Sequence, residues 1–277
     1  MKSLAMKYIN VLTIAGSDSG GGAGIQADLK TFSALGCFGT SVITAVTAQN
    51  TMGVRSVFGI PEEMIKDQIQ AVLEDIAPVA IKIGMINRAG VVQVIERELK
   101  AYHRSVPVIL DPVMVATSGH RLIEPDTVIQ LVEKLFPLAT LVTPNIDEAI
   151  ILSGQQIHHL DDMVAAGYKI IEKGAKAVLI KGGHLPGSII YDVFISGNNA
   201  PVVLESAFIA SKNLHGTGCT LSSAIAAETA KGHNLLAAIK KAKDYISEAL
   251  QAGSMVTTGK GNGPLNHFFN PLKLVIQ

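Results

Sequence analysis

The chain has 277 residues, 48% of them apolar and 17% charged, so it can bury a large core. Lys and Arg together number 23, as do Asp and Glu, and Trp is absent, which argues against a nucleic-acid partner. No apolar stretch is long enough for a membrane span, the N-terminus does not resemble a signal peptide, and the two cysteines form no CxxC pair. We therefore expect a cytoplasmic protein that has no membrane segment and no zinc site.

Apolar, β-rich stretches alternate with helical periodicity along most of the chain. The predicted strands are 9–15, 41–48, 80–83, 106–110, 140–142 and 177–180, followed by a hairpin over 189–195 and 202–209 around Gly197-Asn198-Asn199. The predicted helices are 25–35, one opened by Pro61, 91–102, 125–135, a short one after Pro144, 161–173, 218–231 and 235–252. This alternation predicts an α/β fold in which helices cover both faces of a mostly parallel sheet. We find no linker or internal repeat, so we predict a single domain over residues 1–277.

The most informative local segment runs from His215 to Thr220 and contains Gly216, Thr217, Gly218 and Cys219. Two glycines just before a helix leave backbone N–H groups open, which suits an anion such as a transferring phosphoryl group. In the first helical turn, Cys219 would have a lowered thiol pKa. The structural alternative is a glycine-rich loop followed by a small buried cysteine.

A second segment, Thr143-Pro144-Asn145-Ile146-Asp147-Glu148, places Asn145 and Glu148 on one face of a short helix. Together they could hold a hydrated Mg²⁺. The same spacing is typical of a capping box, in which Asn145 and Glu148 only bond each other's backbone.

Three charged residues follow strands or lie in glycine-rich loops. Asp111 and Lys181 each follow a predicted strand, so they would face the crevice beyond the carboxyl ends of the strands, where open α/β sheets bind ligands. Lys260 lies between Gly259 and Gly261 and could reach phosphates. A turn aspartate and two solvated lysines are the structural alternatives.

The segment from Gly22 to Ala27 satisfies a relaxed G-x-G-x-x-A dinucleotide-binding pattern, which leaves a nicotinamide-dependent oxidoreductase as an alternative. The second strand, however, ends in Gln49 without the acidic residue that such sites use. A P-loop kinase is excluded, because no G-x-x-x-x-G-K-[ST] occurs.

Several motifs together resemble one known family. They are 12–32, 42–45, 48–51, 82–85, Asp111-Pro112-Val113-Met114, Thr143-Pro144-Asn145, Lys181-Gly182-Gly183-His184, 215–220 and 259–264. In this order they are similar to bacterial hydroxymethylpyrimidine/phosphomethylpyrimidine kinases of thiamine biosynthesis. The resemblance implies a three-layer ribokinase-like fold, ATP with Mg²⁺, and a homodimer. It also implies two successive phosphorylations of 4-amino-5-hydroxymethyl-2-methylpyrimidine.

The resemblance further implies roles for individual residues. The catalytic group would be Cys219 as the base, with the loop Gly216, Thr217 and Gly218. The substrate pocket would comprise Gln49, Asp28, Gly16, Met85 and Val113. ATP would be bound by Lys181, Lys260, Asp111 and Thr143, and the metal by Asn145 and Glu148.

Two further alternatives remain. Some pyridoxal kinases share this framework and its cysteine-containing loop, and the run Ala48-Gln49-Asn50-Thr51 favours the pyrimidine form over a pyridoxal/pyridoxine kinase. A non-catalytic ligand sensor is disfavoured, because Cys219, Asn145 and Glu148 are all present.

Overall fold

The computed structural model describes residues 6–102, 105–114, 123–183, 187–197 and 199–276, in which the strands form one mixed sheet. The strands are β1 (Asn10–Asp18), β2 (Phe38–Asn50), β3 (Gly53–Gly59), β4 (Ala80–Ile83), β5 (Val108–Leu110), β6 (Leu141–Val142), β7 (Ala177–Ile180), β8 (Ile189–Ser196) and β9 (Val202–Ala207). Their spatial order is β3-β2-β1-β4-β5-β6-β7-β8-β9. The run β2-β1-β4-β5-β6-β7 is parallel, whereas β3, β8 and β9 pair antiparallel.

Helices cover both faces of this sheet. They are α1 (Gly24–Ala34), α2 (Glu62–Ala71), α3 (Ala89–Ala101), α4 (Pro125–Gln130), α5 (Ile146–Ser153), α6 (Leu160–Glu172), α7 (Thr217–Ala230) and α8 (Leu235–Gly253). Two of them, α2 and α4, continue into a π-helical turn, at Val72–Ile76 and Leu131–Leu135.

Two hydrophobic clusters form the core, one on each face of the sheet. Residues of α2, α3, α5 and α6 pack in the first cluster, and residues of α1, α7 and α8 in the second. Successive residues of β1 alternate between them, Leu12 and Ile14 in the first and Val11 in the second, as the pleat of a strand requires. The predicted three-layer α/β architecture is therefore confirmed, whereas the assignment of the whole chain to one domain stays a prediction.

Most predicted elements are present, and the differences have local causes. The antiparallel strand β3 was not predicted, because its pattern, with Arg55 and Ser56 exposed, does not show that it pairs with β2. The predicted strand 106–110 begins only at Val108, after Pro107, which has no N–H to donate. His184 and Asn198, which belong to a family motif and to the predicted hairpin turn, lie outside the described residues.

The carboxyl ends of the parallel strands form one edge of the sheet, and this edge positions the candidate site. The chain leaves β1 toward β2 on one side, whereas β4 pairs on the other side of β1. Ligands of open α/β sheets bind at such a reversal of strand order. None of the helices in the described part of the chain is long and apolar enough to cross a membrane.

Candidate active site

The loop before α7 packs directly on the glycine-rich loop that follows β1. Gly216 caps α7 with φ +85°, and a side chain there would overlap the carbonyl oxygen of Gly22. Only glycine combines this positive φ with such a close approach. The Thr217 N–H donates to the Leu214 carbonyl (3.2 Å). The N–H groups of Gly216, Gly218 and Cys219 have no acceptor among the described residues, which leaves them available to an anion at the helix N-terminus.

The thiol of Cys219 lies in the first turn of α7, as predicted, but its ionisation differs from the expectation. Burial raises the pKa of Cys219 to about 11, although part of the residue remains open to solvent. The Lys82 charge and a hydrogen bond from the Gly24 backbone lower this pKa, whereas Asp28 and Asp111 raise it. The predicted lowering is therefore wrong, because desolvation and two nearby carboxylates outweigh the groups that lower this pKa.

Asp111 and Lys181 meet beside the first turn of α7. The Lys181 Nζ donates to Asp111 Oδ1 (2.9 Å), which also accepts from the Thr143 hydroxyl (3.2 Å). The other carboxylate oxygen accepts from the Ser222 hydroxyl (3.3 Å), one turn after Cys219. A side chain at Gly218 would lie 3.3 Å from the Lys181 Nζ, so this charge is next to the open N–H groups.

The charges of this pair are mutually stabilised. Burial opposes ionisation of both groups, but Lys181, followed by Lys82, keeps the pKa of Asp111 below its usual value. Asp111 and Glu148 likewise keep the pKa of Lys181 above its usual value. A fixed positive charge therefore lies beside the N-terminus of α7, an arrangement that suits an anion.

Asn145 and Glu148 form the capping box that the sequence left as an alternative. The Glu148 N–H donates to Asn145 Oδ1 (2.9 Å), and the Asn145 N–H donates to Glu148 Oε2 (2.8 Å). Burial, supported by the nearby Asp111 charge, raises the pKa of Glu148 to about 7 even though Lys181 opposes the rise. The two side chains therefore have a structural role, and their predicted metal role stays a prediction.

The predicted substrate residues lie around β1, β2 and the loop after β4. Gln49 is half-buried, and its Nε2 lies 3.2 Å from His215 Nε2. Met85 packs against Gly16, where a side chain would approach its sulfur to 2.9 Å. Val113 is half-buried in the loop after β5. Gly16 and Gln49 lie in the last residues of β1 and β2, and Met85 and Val113 lie just beyond β4 and β5, so all four are at the edge of the sheet where a pocket was predicted.

Asp18 and His215 connect the glycine-rich loop after β1 to the loop before α7. Asp18 accepts hydrogen bonds from the N–H groups of Gly20, Gly22 and Ala23, and its Oδ2 lies 2.8 Å from His215 Nε2. Burial opposes ionisation, but these bonds, led by that of His215, keep the pKa of Asp18 below its usual value. The sequence analysis did not assign either residue, although both lie inside its motifs.

Asp28 is fully buried. Its carboxylate accepts from Thr13 Oγ1 (2.6 Å), Ser223 Oγ (2.7 Å) and Lys82 Nζ (2.9 Å to each oxygen). Asp28 therefore joins Ser223 of α7 to Lys82 of β4. Its burial favours a supporting role over the predicted direct contact with a substrate. A lysine inside the apolar strand Ala80–Ile83 was the sequence signal for this buried pair.

Lys260 is exposed in a loop that packs on the turn after β2. The N–H groups of Lys260 (3.2 Å) and Gly261 (3.1 Å) donate to the hydroxyl of Thr51. Side chains at Gly259 or Gly261 would overlap Thr51. The loop therefore lies against the turn that follows Gln49, and a phosphate contact by Lys260 stays a prediction.

Comparison with known proteins identifies the family of this chain. A family profile described as phosphomethylpyrimidine kinase matches residues 18–266. The chain is 49% identical over 258 residues to hydroxymethylpyrimidine/phosphomethylpyrimidine kinase of Rhizobium meliloti (strain 1021), covering 93% of this chain and 96% of the relative. The chain belongs to the phosphomethylpyrimidine kinase family.

Solved structures of this family and of a related one have the same fold. The crystal structure of phosphomethylpyrimidine kinase from Clostridium difficile 630 aligns with a TM-score of 0.77 and 47% identity, covering 87% of this chain and 99% of that one. An ADP complex of Bacillus subtilis pyridoxal kinase aligns with a TM-score of 0.87 and 37% identity, covering 94% of this chain and 98% of that one. The ribokinase-like fold is thus confirmed, but because kinases for two vitamins share it, the acceptor must be argued from the side chains.

Proposed function

We propose that this phosphomethylpyrimidine kinase family member uses ATP to phosphorylate 4-amino-5-hydroxymethyl-2-methylpyrimidine and then its monophosphate, which yields the diphosphate for thiamine biosynthesis. The central observation is that Cys219, Lys181 and the open N–H groups of α7 meet at one end of the sheet, where Gln49 lies beside His215 of the same loop. Such a site offers positive charge to a phosphoryl group and an amide to a pyrimidine.

In the first reaction the hydroxymethyl oxygen forms a bond to the γ-phosphorus of ATP, and the bond from that phosphorus to the β,γ-bridging oxygen breaks, releasing ADP. The proton of the hydroxyl passes to the sulfur of Cys219 when that sulfur is ionised. Lys181 stabilises the charge on the β- and γ-phosphate oxygens, and the N–H groups of Gly218 and Cys219 stabilise the charge on the transferring oxygens.

The second reaction has the same geometry but a different nucleophile. An oxygen of the monophosphate attacks the γ-phosphorus of a second ATP, and ADP again leaves. This oxygen is already deprotonated near neutral pH, because the second pKa of a phosphomonoester is about 6. The second step therefore needs charge stabilisation by Lys181 and the loop, but no base.

Mg²⁺ fits the carboxylates near Lys181. Glu148 is a buried carboxyl with a pKa raised to about 7, so an added cation would favour its ionised form. Among the described residues, no group of three or more His, Cys, Asp or Glu side chains could hold a metal ion. Asn145, Glu148 and Asp111 would therefore hold Mg²⁺ partly through water and ATP phosphates, where it would neutralise phosphate charge.

We also propose a cytoplasmic homodimer. Both cysteines are free, which suits a reducing compartment. Val46 and Phe58 face each other in the β2–β3 register and are both exposed, and exposed apolar side chains that lie together favour a protein contact. Sedimentation equilibrium tests the dimer, and a monomer at micromolar concentration would contradict it.

The function is tested by comparing ATP turnover with three acceptors: the hydroxymethylpyrimidine, its monophosphate and pyridoxal. We expect kcat/KM for the pyrimidine to exceed that for pyridoxal by at least about tenfold, because Gln49 pairs with an aminopyrimidine edge. Faster turnover of pyridoxal would assign the chain to pyridoxal phosphorylation instead, and no turnover with any of the three would contradict a kinase function.

A further inference from the structure

A buried ion pair lies close to the backbone that carries Lys181. Asp192 of β8 and Lys243 of α8 are each less than a tenth exposed, and Lys243 Nζ donates to Asp192 Oδ2. The same ammonium group lies 3.4 Å from the hydroxyl of Ser206 on β9. Burying two charges costs desolvation free energy, and an apolar pair of similar volume is often as stable, so stability alone is a weak reason for this pair.

The other carboxylate oxygen of Asp192 accepts a hydrogen bond from the backbone of the loop after β7. The Gly182 N–H donates to Asp192 Oδ1 (2.8 Å). Ile180 is opposite Val193 in the antiparallel ladder of β7 and β8, which puts Asp192 opposite Lys181. A side chain at Gly182 would overlap the carbonyl oxygen of Tyr191, so the two backbones are in tight contact at this point.

The backbone of Lys181 is consequently held on both sides. Its own N–H donates to the Pro144 carbonyl (2.8 Å), and the next N–H, that of Gly182, donates to Asp192. These two bonds fix the direction in which the Lys181 side chain leaves the sheet toward Asp111 and the N-terminus of α7. After Gly182 the chain continues into Gly183, which is exposed and has no neighbouring atoms where a side chain would begin.

From this geometry we infer that Asp192 is a positioning residue for phosphoryl transfer, which holds Lys181 at the nucleotide phosphates by accepting the Gly182 N–H. Lys243 neutralises the buried carboxylate and has no direct contact with the reacting atoms. The inference rests on the proposed function in one respect, namely that Lys181 binds ATP phosphates. Through the position of Lys181, it gives Asp192 of β8 and Lys243 of α8 a part in nucleotide binding.

Two double variants separate the hydrogen bond from the charge. Asp192→Asn/Lys243→Met removes both charges and keeps an acceptor for Gly182, whereas Asp192→Leu/Lys243→Met removes the charges and the acceptor while keeping the same branched side-chain skeleton. We expect the Asn variant to keep the affinity for ADP within about twofold of the wild type and the Leu variant to lose about tenfold, the effect of one hydrogen bond. The KM for ATP should follow the same pattern, and the KM for the pyrimidine should be alike in both variants.

A third comparison tests whether Asp192 acts through Lys181. Added to Lys181→Met, the Leu double substitution should cause no more than about a twofold further loss of ADP affinity, because residues that act through one another are not additive. Equal ADP affinity of the Asn and Leu variants, or a full additional loss in the Lys181→Met background, would overturn the inference.

The measurements also distinguish this inference from the proposed function. ADP affinity is measured calorimetrically without any acceptor, and thermal unfolding is recorded for each variant. If the Leu variant does not fold, Asp192→Ala/Lys243→Met replaces it in the same comparison. The expected ADP pattern with no pyrimidine turnover would reject the proposed function alone, whereas pyrimidine turnover without that pattern would reject the role of Asp192 alone.

Discussion

Replacement of the Cys219 sulfur should affect the two phosphorylations unequally. Burial raises the pKa of Cys219 to about 11, so at pH 8 only about one molecule in a thousand carries the thiolate, since three pH units separate the two values. The first step must remove a hydroxyl proton, and a general base contributes about 10²–10⁴-fold. The second step attacks through an oxygen that is already ionised. We therefore expect Cys219→Ser to lower kcat of the first step at least about a hundredfold, and that of the second less than about fivefold.

The assay supplies the pyrimidine or its monophosphate separately at saturating ATP and Mg²⁺. The wild-type rate of the first step should rise about tenfold per pH unit between about pH 7 and 10, because the thiolate fraction rises in that proportion below its pKa of about 11. Cys219→Asp should retain more first-step activity than Cys219→Ser and lose this pH dependence, since a carboxylate is ionised throughout. Cys37→Ser serves as the control, because Cys37 is fully buried elsewhere. Equal losses in both steps, or near-normal first-step turnover by Cys219→Ser, would refute the base assignment.

Three further predictions concern other side chains. Gln49→Ala should raise the KM for the pyrimidine by more than about tenfold with little change for ATP, and steady-state kinetics showing equal losses for both would indicate a structural role. Glu148→Gln should lower kcat and raise the Mg²⁺ concentration needed, whereas a lower melting temperature with normal kinetics would leave only the capping box. Burial lowers the pKa of His267 to about 4, so the folded protein binds fewer protons than the unfolded chain between about pH 4 and 6.5, and stability is lost as the pH falls. Urea unfolding should show that His267→Gln weakens this pH dependence, by at most about 1.4 kcal/mol per pH unit, and an unchanged slope would contradict it.

The sequence alone was sufficient for much of the fold and for the location of the site. Strand Ala177–Ile180 has the predicted bounds, and α7 begins within one residue of its predicted start, because apolar periodicity and glycine placement are local properties. The motifs at Asp111 and Lys181 were correctly placed at one edge of the sheet, since parallel strands bring their carboxyl ends together. The family followed from the order of these motifs along the chain.

Only the tertiary structure decided the electrostatics of the site. The position of Cys219 in the first turn of a helix predicts a lowered thiol pKa. Desolvation by segments distant in sequence, with the Asp28 and Asp111 charges, instead raises this pKa to about 11. The pairs of Asp28 with Lys82 and of Asp192 with Lys243 join residues 54 and 51 positions apart, and no periodicity relates them. Local sequence determines helix and strand propensity, whereas desolvation and charge pairing depend on which segments pack together, and this information is present only once the chain has folded.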